Sequence, residues 1–176
     1  MPRQPVDSGR VTAFLEALAG WTTAPTTLYL VGGATAVTVG WRASTIDIDL
    51  VLRPEDEGAL RALPRLKEEL DVNVELASPL DFLPELPDWQ ERSPFVLQVG
   101  PLTVRQFDPY SQALAKLERG FSQDIADVRA MVELDLVEPA RLAGLFDAIA
   151  DTLFRFPTVD PGRLRALVEA LGRAPS

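Results

Sequence analysis

The stretch LYLVGGATAVTVGWRASTIDIDLVL, residues 28–52, decides which fold this sequence is expected to adopt. It opens with an apolar run typical of a short buried strand, and the paired Gly32 and Gly33 end that run. A short apolar segment with helical character follows, and TIDIDLVL (45–52) then alternates as a second strand does. We therefore expect a strand, a glycine turn, a helix and a second strand in immediate succession.

Two aspartates lie one residue apart in the second of these strands. Residues i and i+2 of a strand point to the same face, so Asp47 and Asp49 project together, with Cα atoms roughly 6.5–7 Å apart. Two like charges at that separation on a half-buried strand are costly unless a cation shares them. Mg²⁺ suits such a pair, because it prefers oxygen ligands and is often held by carboxylates together with substrate phosphates. The alternative is an edge strand with a hydrated acidic face, which an isolated Asp-x-Asp would favour.

The glycine pair supplies a second part of the expected site. A backbone turn at Gly32 and Gly33, ahead of a helix, can bring N–H groups to a phosphate. An ordinary tight turn is the alternative for a glycine pair alone. The succession of strand, Gly-Gly, helix, Ser-Thr and Asp-x-Asp is much more specific than any of its parts.

The composition excludes several classes of enzyme. The chain has 176 residues, which suits one domain, or one domain with a helical appendage. It contains no histidine and no cysteine, and this excludes a Ser-His-Asp hydrolase, a thiolate nucleophile and a zinc–thiolate site. Any catalysis must therefore rest on carboxylates, lysine, arginine, hydroxyl groups and a hard metal ion.

The charge balance and the hydropathy pattern indicate a cytoplasmic protein. The net charge at pH 7 is −9, the opposite of the basic surface that dedicated nucleic-acid-binding domains carry. An RNA substrate would therefore bind weakly or transiently, through a local basic patch. No apolar run reaches the length of a membrane span, and the N-terminus lacks the apolar core of a signal peptide.

Apolar periodicity predicts a mixed α/β part followed by a helical part. Further strands are expected at 71–77 and on both sides of the turn at Gly100-Pro101, and further helices at 9–19, 54–70, 109–119, 122–136, 139–149 and 161–172. Pro64 is expected to kink or split its helix, and Ser122 to cap the helix that follows it. Residues 1–107 are then the α/β core and residues 108–176 a helical region packed on it, with a cleft between the two lobes.

The segment 31–52 resembles the Gly-Gly then Asp-x-Asp signature of the nucleotidyltransferase superfamily, whose fold is of the DNA polymerase β palm type. More narrowly, it resembles the AbiEii/MenT-like toxin nucleotidyltransferases and their minimal relatives. A second motif, ALAKLERGFSQDIADV (113–128), follows the family order of a lysine-bearing helix and an aspartate-rich helix start. The resemblance implies a mixed sheet flanked by helices, followed by a C-terminal helical region.

The resemblance also implies roles for individual residues. Gly32 and Gly33 match glycines that line the nucleotide triphosphate, and Asp47 and Asp49 match a metal-binding pair. Arg42, Ser44 and Thr45 occupy positions near the phosphates.

Two further matches lie in the second motif. Lys116 matches a lysine that contacts the triphosphate, and Lys67 is the only other lysine in the chain. Asp124 matches an acidic residue of the last motif, although an acid in the first turn of a helix also stabilises the helix dipole. Asp127 and Arg129 are expected to face solvent.

The chain departs from the family pattern at two positions. The superfamily usually has a hydroxyl residue after the glycines, where this chain has Ala34. Members with a complete site carry a third carboxylate on a later strand. Glu75, one strand on, is the best candidate, and Asn73 occupies the other position on that face.

The sequence leaves two functions open. The first is an Mg²⁺-dependent nucleotidyltransferase that moves an NMP from an NTP to an RNA (tRNA-like) or protein hydroxyl, as the toxin of a toxin–antitoxin pair. In that reaction two Mg²⁺ ions about 3.5–4 Å apart would stabilise both ends of the displacement. The second is a catalytically degenerate module of the same fold that binds a nucleotide or a partner protein.

Overall fold

The computed structural model describes residues 3–173, which form two compact units. The first unit holds the described residues through Ser78 together with Ser93–Phe107, and the second holds Pro79–Arg92 and the residues from Asp108 onward. The helices and strands of the first unit are α1 (Ser8–Ala19), β1 (Thr26–Val31), α2 (Gly32–Val39), β2 (Asp47–Arg53), α3 (Glu57–Glu69), β3 (Asn73–Leu76), β4 (Phe95–Val99) and β5 (Leu102–Gln106).

The five strands form one mixed sheet in the order β3-β2-β1-β5-β4. The β1/β2 and β4/β5 pairs are antiparallel, whereas β1/β5 and β2/β3 are parallel. Because β2 runs antiparallel to β1 and parallel to β3, the end of β1 lies beside the starts of β2 and β3. The glycines, the aspartate pair and the start of β3 therefore meet at one end of the sheet.

One face of the sheet packs against helices and forms the core of the first unit. Ile48 and Leu50 of β2 are buried in that core with apolar residues of α1 and α3. This alternation leaves Asp47 and Asp49 on the opposite face, as the sequence predicts. Ile46 precedes β2, which begins at Asp47, and is 60% exposed.

Helix α3 runs without interruption through Pro64, so of the expected kink or split the split does not occur. Its N-cap is the buried Asp56, whose side chain accepts a hydrogen bond of 2.8 Å from the Ala59 amide. The same carboxylate accepts bonds of 3.0 and 2.7 Å from the amide and hydroxyl of Thr23, and one of 3.0 Å from the Ala24 amide. Asp56 therefore ties the start of α3 to the segment that precedes β1.

We expect the stabilisation from Asp56 to disappear at low pH. The hydrogen bonds from Ala59, Thr23 and Ala24 lower the pKa of Asp56 to about 2. Because an aspartate in an unfolded chain titrates near about 3.9, the ionised group favours folding above about pH 4, and this contribution is lost as the pH falls towards about 2. The difference in free energy of unfolding between wild type and Asp56→Ala, from urea denaturation, should shrink over that interval. A difference that stays constant there would contradict the prediction.

The second unit is helical, with α4 (Pro109–Arg119), α5 (Ser122–Glu133), α6 (Pro139–Ile149) and α7 (Pro161–Leu171), and with 3₁₀ turns at Pro79–Asp81 and Ala150–Arg155. Asp108 caps α4 and is fully buried. The guanidinium of Arg92 donates to both Asp108 carboxylate oxygens, at 3.1 and 2.9 Å, and so attaches the 79–92 segment to α4. None of the helices in residues 3–173 is long and apolar enough to cross a membrane.

Candidate active site

Gly32 and Gly33 are the first two residues of α2, and the carboxylate of Asp49 lies directly against the first of them. The register pairs Asp49 with Val31, the last residue of β1, which places the aspartate beside the start of α2. A Cβ on Gly32 would lie 2.9 Å from Asp49 Oδ2, and Gly32 has a φ of +60°. Both facts require glycine at this position, because a side chain would meet the carboxylate and strain the backbone.

Gly33 is in equally close contact with the loop that precedes β2. A Cβ on Gly33 would overlap the hydroxyl of Thr45, would lie 2.8 Å from Thr45 Cβ and would come within 3.6 Å of Arg42 Nη1. Thr45 is itself held in place, because its hydroxyl donates to the Asp47 carbonyl at 3.1 Å. Its backbone also exchanges hydrogen bonds of 2.7 and 2.9 Å with Val6, which is fully buried. The role of Val6 was not expected from the sequence, and no local pattern signals it.

Asp47, Asp49, Asn73 and Glu75 share one face of the sheet. In the parallel β2/β3 pair, Asp47 is opposite Asn73 and Asp49 is opposite Glu75. The side-chain amide of Asn73 donates a hydrogen bond to Asp47 Oδ1. Glu75 is exposed, as is Ser44. Among residues 3–173, no three histidine, cysteine, aspartate or glutamate side chains are grouped so that they could hold one metal ion. A third carboxylate from Glu75 therefore stays a prediction.

We expect Gly33→Ala to destabilise the protein by about 1–3 kcal/mol, the range typical of an overpacked site. The new methyl group would displace Thr45, which the Val6 bridge and the Asp47 carbonyl hold in place. Thermal or urea denaturation, monitored by circular dichroism, measures this loss.

Gly144→Ala is the matched control for that substitution. Gly144 lies within α6, and a Cβ there would have nothing within 4 Å. Alanine is favoured over glycine in the middle of a helix by roughly 0.5–1 kcal/mol, so this variant should be stabilised. If both alanine variants were stabilised alike, Gly33 could not lie in close contact with Thr45.

Lys116 and Asp124 lie in the second unit, where they belong to a buried cluster of charges. Lys116 Nζ donates to Asp127 Oδ2 at 2.7 Å and lies 3.8 Å from Asp124 Oδ1. All three side chains are at least nine-tenths buried. The expectation that Asp127 faces solvent is therefore wrong, whereas Arg129 is exposed as expected. The spacing of Asp124 and Asp127 on one helix face was the available signal.

Asp124 also joins α5 to the end of α4. Burial opposes ionisation of Asp124 and by itself would raise its pKa. The carboxylate, however, accepts hydrogen bonds of 2.8 and 2.5 Å from Arg119 and one of 3.2 Å from the Phe121 amide. Together with the positive charges of Arg119 and Lys116, these bonds outweigh burial, so the pKa of Asp124 is lowered. Phe121, and not Ser122, is the N-cap residue, and Asp124 satisfies its amide. These contacts give Asp124 a structural role. The nucleotide role that the resemblance implies for Lys116 and Asp124 stays a prediction.

The first unit thus brings together six of the predicted site residues, at the end of β1 and the start of β2: Gly32, Gly33, Arg42, Thr45, Asp47 and Asp49. The donor atoms fit Mg²⁺, because both aspartates offer hard oxygen ligands and a substrate phosphate can complete the coordination. The start of α2 suits a phosphate, because the N–H groups in the first turn of a helix have no partner within that helix.

A comparison with protein families places this chain in one of them. A comparison with curated proteins finds no match. One solved structure, an antigenic nucleotidyltransferase-like protein from Paracoccidioides brasiliensis, is similar over 95% of this chain and 95% of its own, with a TM-score of 0.49 and 16% sequence identity. Residues 10–154 match the model of a family described as "Nucleotidyltransferase of unknown function (DUF6036)". Because this match covers most of the chain, the protein belongs to that nucleotidyltransferase family.

Proposed function

We propose that this protein is an Mg²⁺-dependent nucleotidyltransferase, which transfers an NMP from an NTP to a hydroxyl of an acceptor. The observation that carries the proposal is the contact of the Asp49 carboxylate with Gly32, the first residue of α2. A carboxylate can bind a metal ion and a helix start can bind a phosphate, so the two together suit a ligand that is a metal–phosphate complex.

Each residue of the site then has a part in the transfer. Asp47 and Asp49 would hold the cation, and the backbone at Gly32 and Gly33 would hold the phosphates. When bound, Mg²⁺ would neutralise charge on the phosphates and on the departing pyrophosphate. Arg42, whose guanidinium lies near Gly33, would add a fixed positive charge on the phosphate side.

The reaction balances without a histidine. The acceptor hydroxyl forms a new bond to the α-phosphorus, the bond to the bridging oxygen breaks, and pyrophosphate leaves while the hydroxyl proton passes to solvent or to a carboxylate. Positioning and charge compensation supply most of the catalysis in phosphoryl transfer, and they require only carboxylates, backbone amides and cations.

The acceptor and the partner follow from the sequence resemblance. We propose an RNA (tRNA-like) or protein hydroxyl as acceptor, and an antitoxin protein as the regulatory partner of a toxin. The net charge of −9 suits a protein acceptor better than an extended RNA surface.

A nucleotide-binding module without turnover is the second candidate. Ala34, the residue after the glycines, is fully buried in the core, so the start of α2 offers no hydroxyl there. This module would bind an Mg²⁺–nucleotide complex through the same residues and release it unchanged.

A transfer assay distinguishes the two candidates. Wild-type protein is incubated with each of the four α-³²P-labelled NTPs and total RNA, with Mg²⁺ or with EDTA. Label that appears on RNA or on protein with Mg²⁺ but not with EDTA supports the transferase. The molecule that carries the label identifies the acceptor class. Mg²⁺-dependent nucleotide binding without label transfer would instead support the binding module. Neither binding nor transfer would overturn both.

A further inference from the structure

Asn73 stands beside the aspartate pair and makes a contact that the proposed mechanism does not use. It is the first residue of β3, opposite Asp47 in the parallel register, so both side chains leave the same face of the sheet. Its Nδ2 donates to Asp47 Oδ1. Asn73 is partly buried, and it is the only asparagine of the chain.

The direction of this hydrogen bond is determined by chemistry. An ionised carboxylate only accepts hydrogen bonds, so the amide must turn its NH₂ group, and not its oxygen, towards Asp47. The bond restricts the rotation of the Asp47 side chain and occupies one side of Oδ1. The remaining lone pairs of the carboxylate stay available to a cation.

We infer that Asn73 is a positioning residue for the divalent cation of this site, and the inference rests on the proposed function. The amide holds Asp47 in the orientation that it shares with Asp49, and it places a neutral donor, not a third negative charge, at the start of β3. Hydrogen-bond partners of metal ligands typically contribute roughly 10–100-fold to metal affinity. Asn73 thus sets both the orientation and the charge of the cation site.

Binding of Mn²⁺ alone, followed by the electron paramagnetic resonance signal of the free ion, tests this inference without any need for catalysis. Asn73→Ala removes the donor and should weaken Mn²⁺ binding by roughly 10–100-fold. Asn73→Asp also removes the donor, but it adds a carboxylate next to Asp47, so it should bind Mn²⁺ more tightly than Asn73→Ala does. Gln98→Ala is the matched control, because it removes a side-chain amide from β4, at the other edge of the sheet, and should leave affinity unchanged.

The outcomes separate this inference from the proposed function. The wild type should bind Mn²⁺ and the Asp47→Asn variant should not. If Asp47→Asn still binds Mn²⁺, the cation site itself is wrong. If Asp47→Asn abolishes binding and Asn73→Ala does not weaken it, the cation site stands and the role of Asn73 is wrong. A purely structural asparagine would give a lower unfolding temperature in Asn73→Ala, with the Mn²⁺ affinity of the wild type. Weaker Mn²⁺ binding by Asn73→Ala, together with unchanged binding by Gln98→Ala, would establish the positioning role.

Discussion

Asp49→Asn is expected to reduce nucleotidyl transfer by about a thousandfold or more, the factor that roughly 4 kcal/mol of lost transition-state stabilisation would give. The substitution keeps the shape of the side chain but removes the negative charge that lies against Gly32. Initial rates of ³²P transfer, measured at saturating Mg²⁺ for the NTP that the wild type uses, test this expectation.

The control for Asp49→Asn is Asp71→Asn, which removes an equal charge from an exposed position of the same unit. Asp71 has a φ of +50°, a backbone conformation that asparagine tolerates well, so this variant should fold and transfer label as the wild type does. Wild-type rates in Asp49→Asn would contradict the assignment of the aspartates. Similar losses in both variants would show that overall charge, and not the site, controls the reaction.

Lys116→Met is expected to lower the free energy of unfolding by about 3–5 kcal/mol, as breaking a buried ion pair does. Lys116 Nζ is the donor to Asp127 at 2.7 Å, and removing it leaves that buried carboxylate without its cation. The apolar stem of lysine is retained by methionine, so the loss measures the charge and not the packing. Urea denaturation at pH 7 gives the change in free energy.

Two further variants test whether Lys116 stabilises the fold. Arg129→Met removes a positive charge from the exposed side of α5 and should change stability by less than about 0.5 kcal/mol. Combining Lys116→Met with Asp127→Leu removes both partners and should recover much of the lost stability, because an apolar pair replaces a buried ion pair at little cost. If Lys116→Met were as stable as the wild type but failed to transfer label, the lysine would serve the nucleotide and not the fold.

Local signals in the sequence were enough to predict most of the secondary structure. The periods of 3.6 and 2 residues predicted the α-helices and strands found in residues 3–173, but not the 3₁₀ turn at Ala150–Arg155. Where prediction failed, the local signal was ambiguous. Pro64 did not split α3, since packing of Leu63 and Leu66 in the core supports the helix on both sides of it.

The pairing of Asp47 with Asp49 could also be read from the sequence, because two residues on one strand need only the strand geometry to share a face. What the sequence could not show is what touches them. Asn73 reaches Asp47 from 26 residues away along the chain, and that contact depends on the parallel register of β3 on β2.

The sequence by itself determined the elements, the shared face of the aspartates and the glycine pair that precedes them, because each follows from neighbours along the chain. Only the tertiary structure decided that Asp49 lies against Gly32, that Thr45 lies between Gly33 and Val6, and that Asp127 is buried against Lys116. The physical reason is that strand register and helix packing bring together residues far apart in sequence. The contact of Lys116 with Asp127, for example, pairs two buried charges that neither helix could pair by itself.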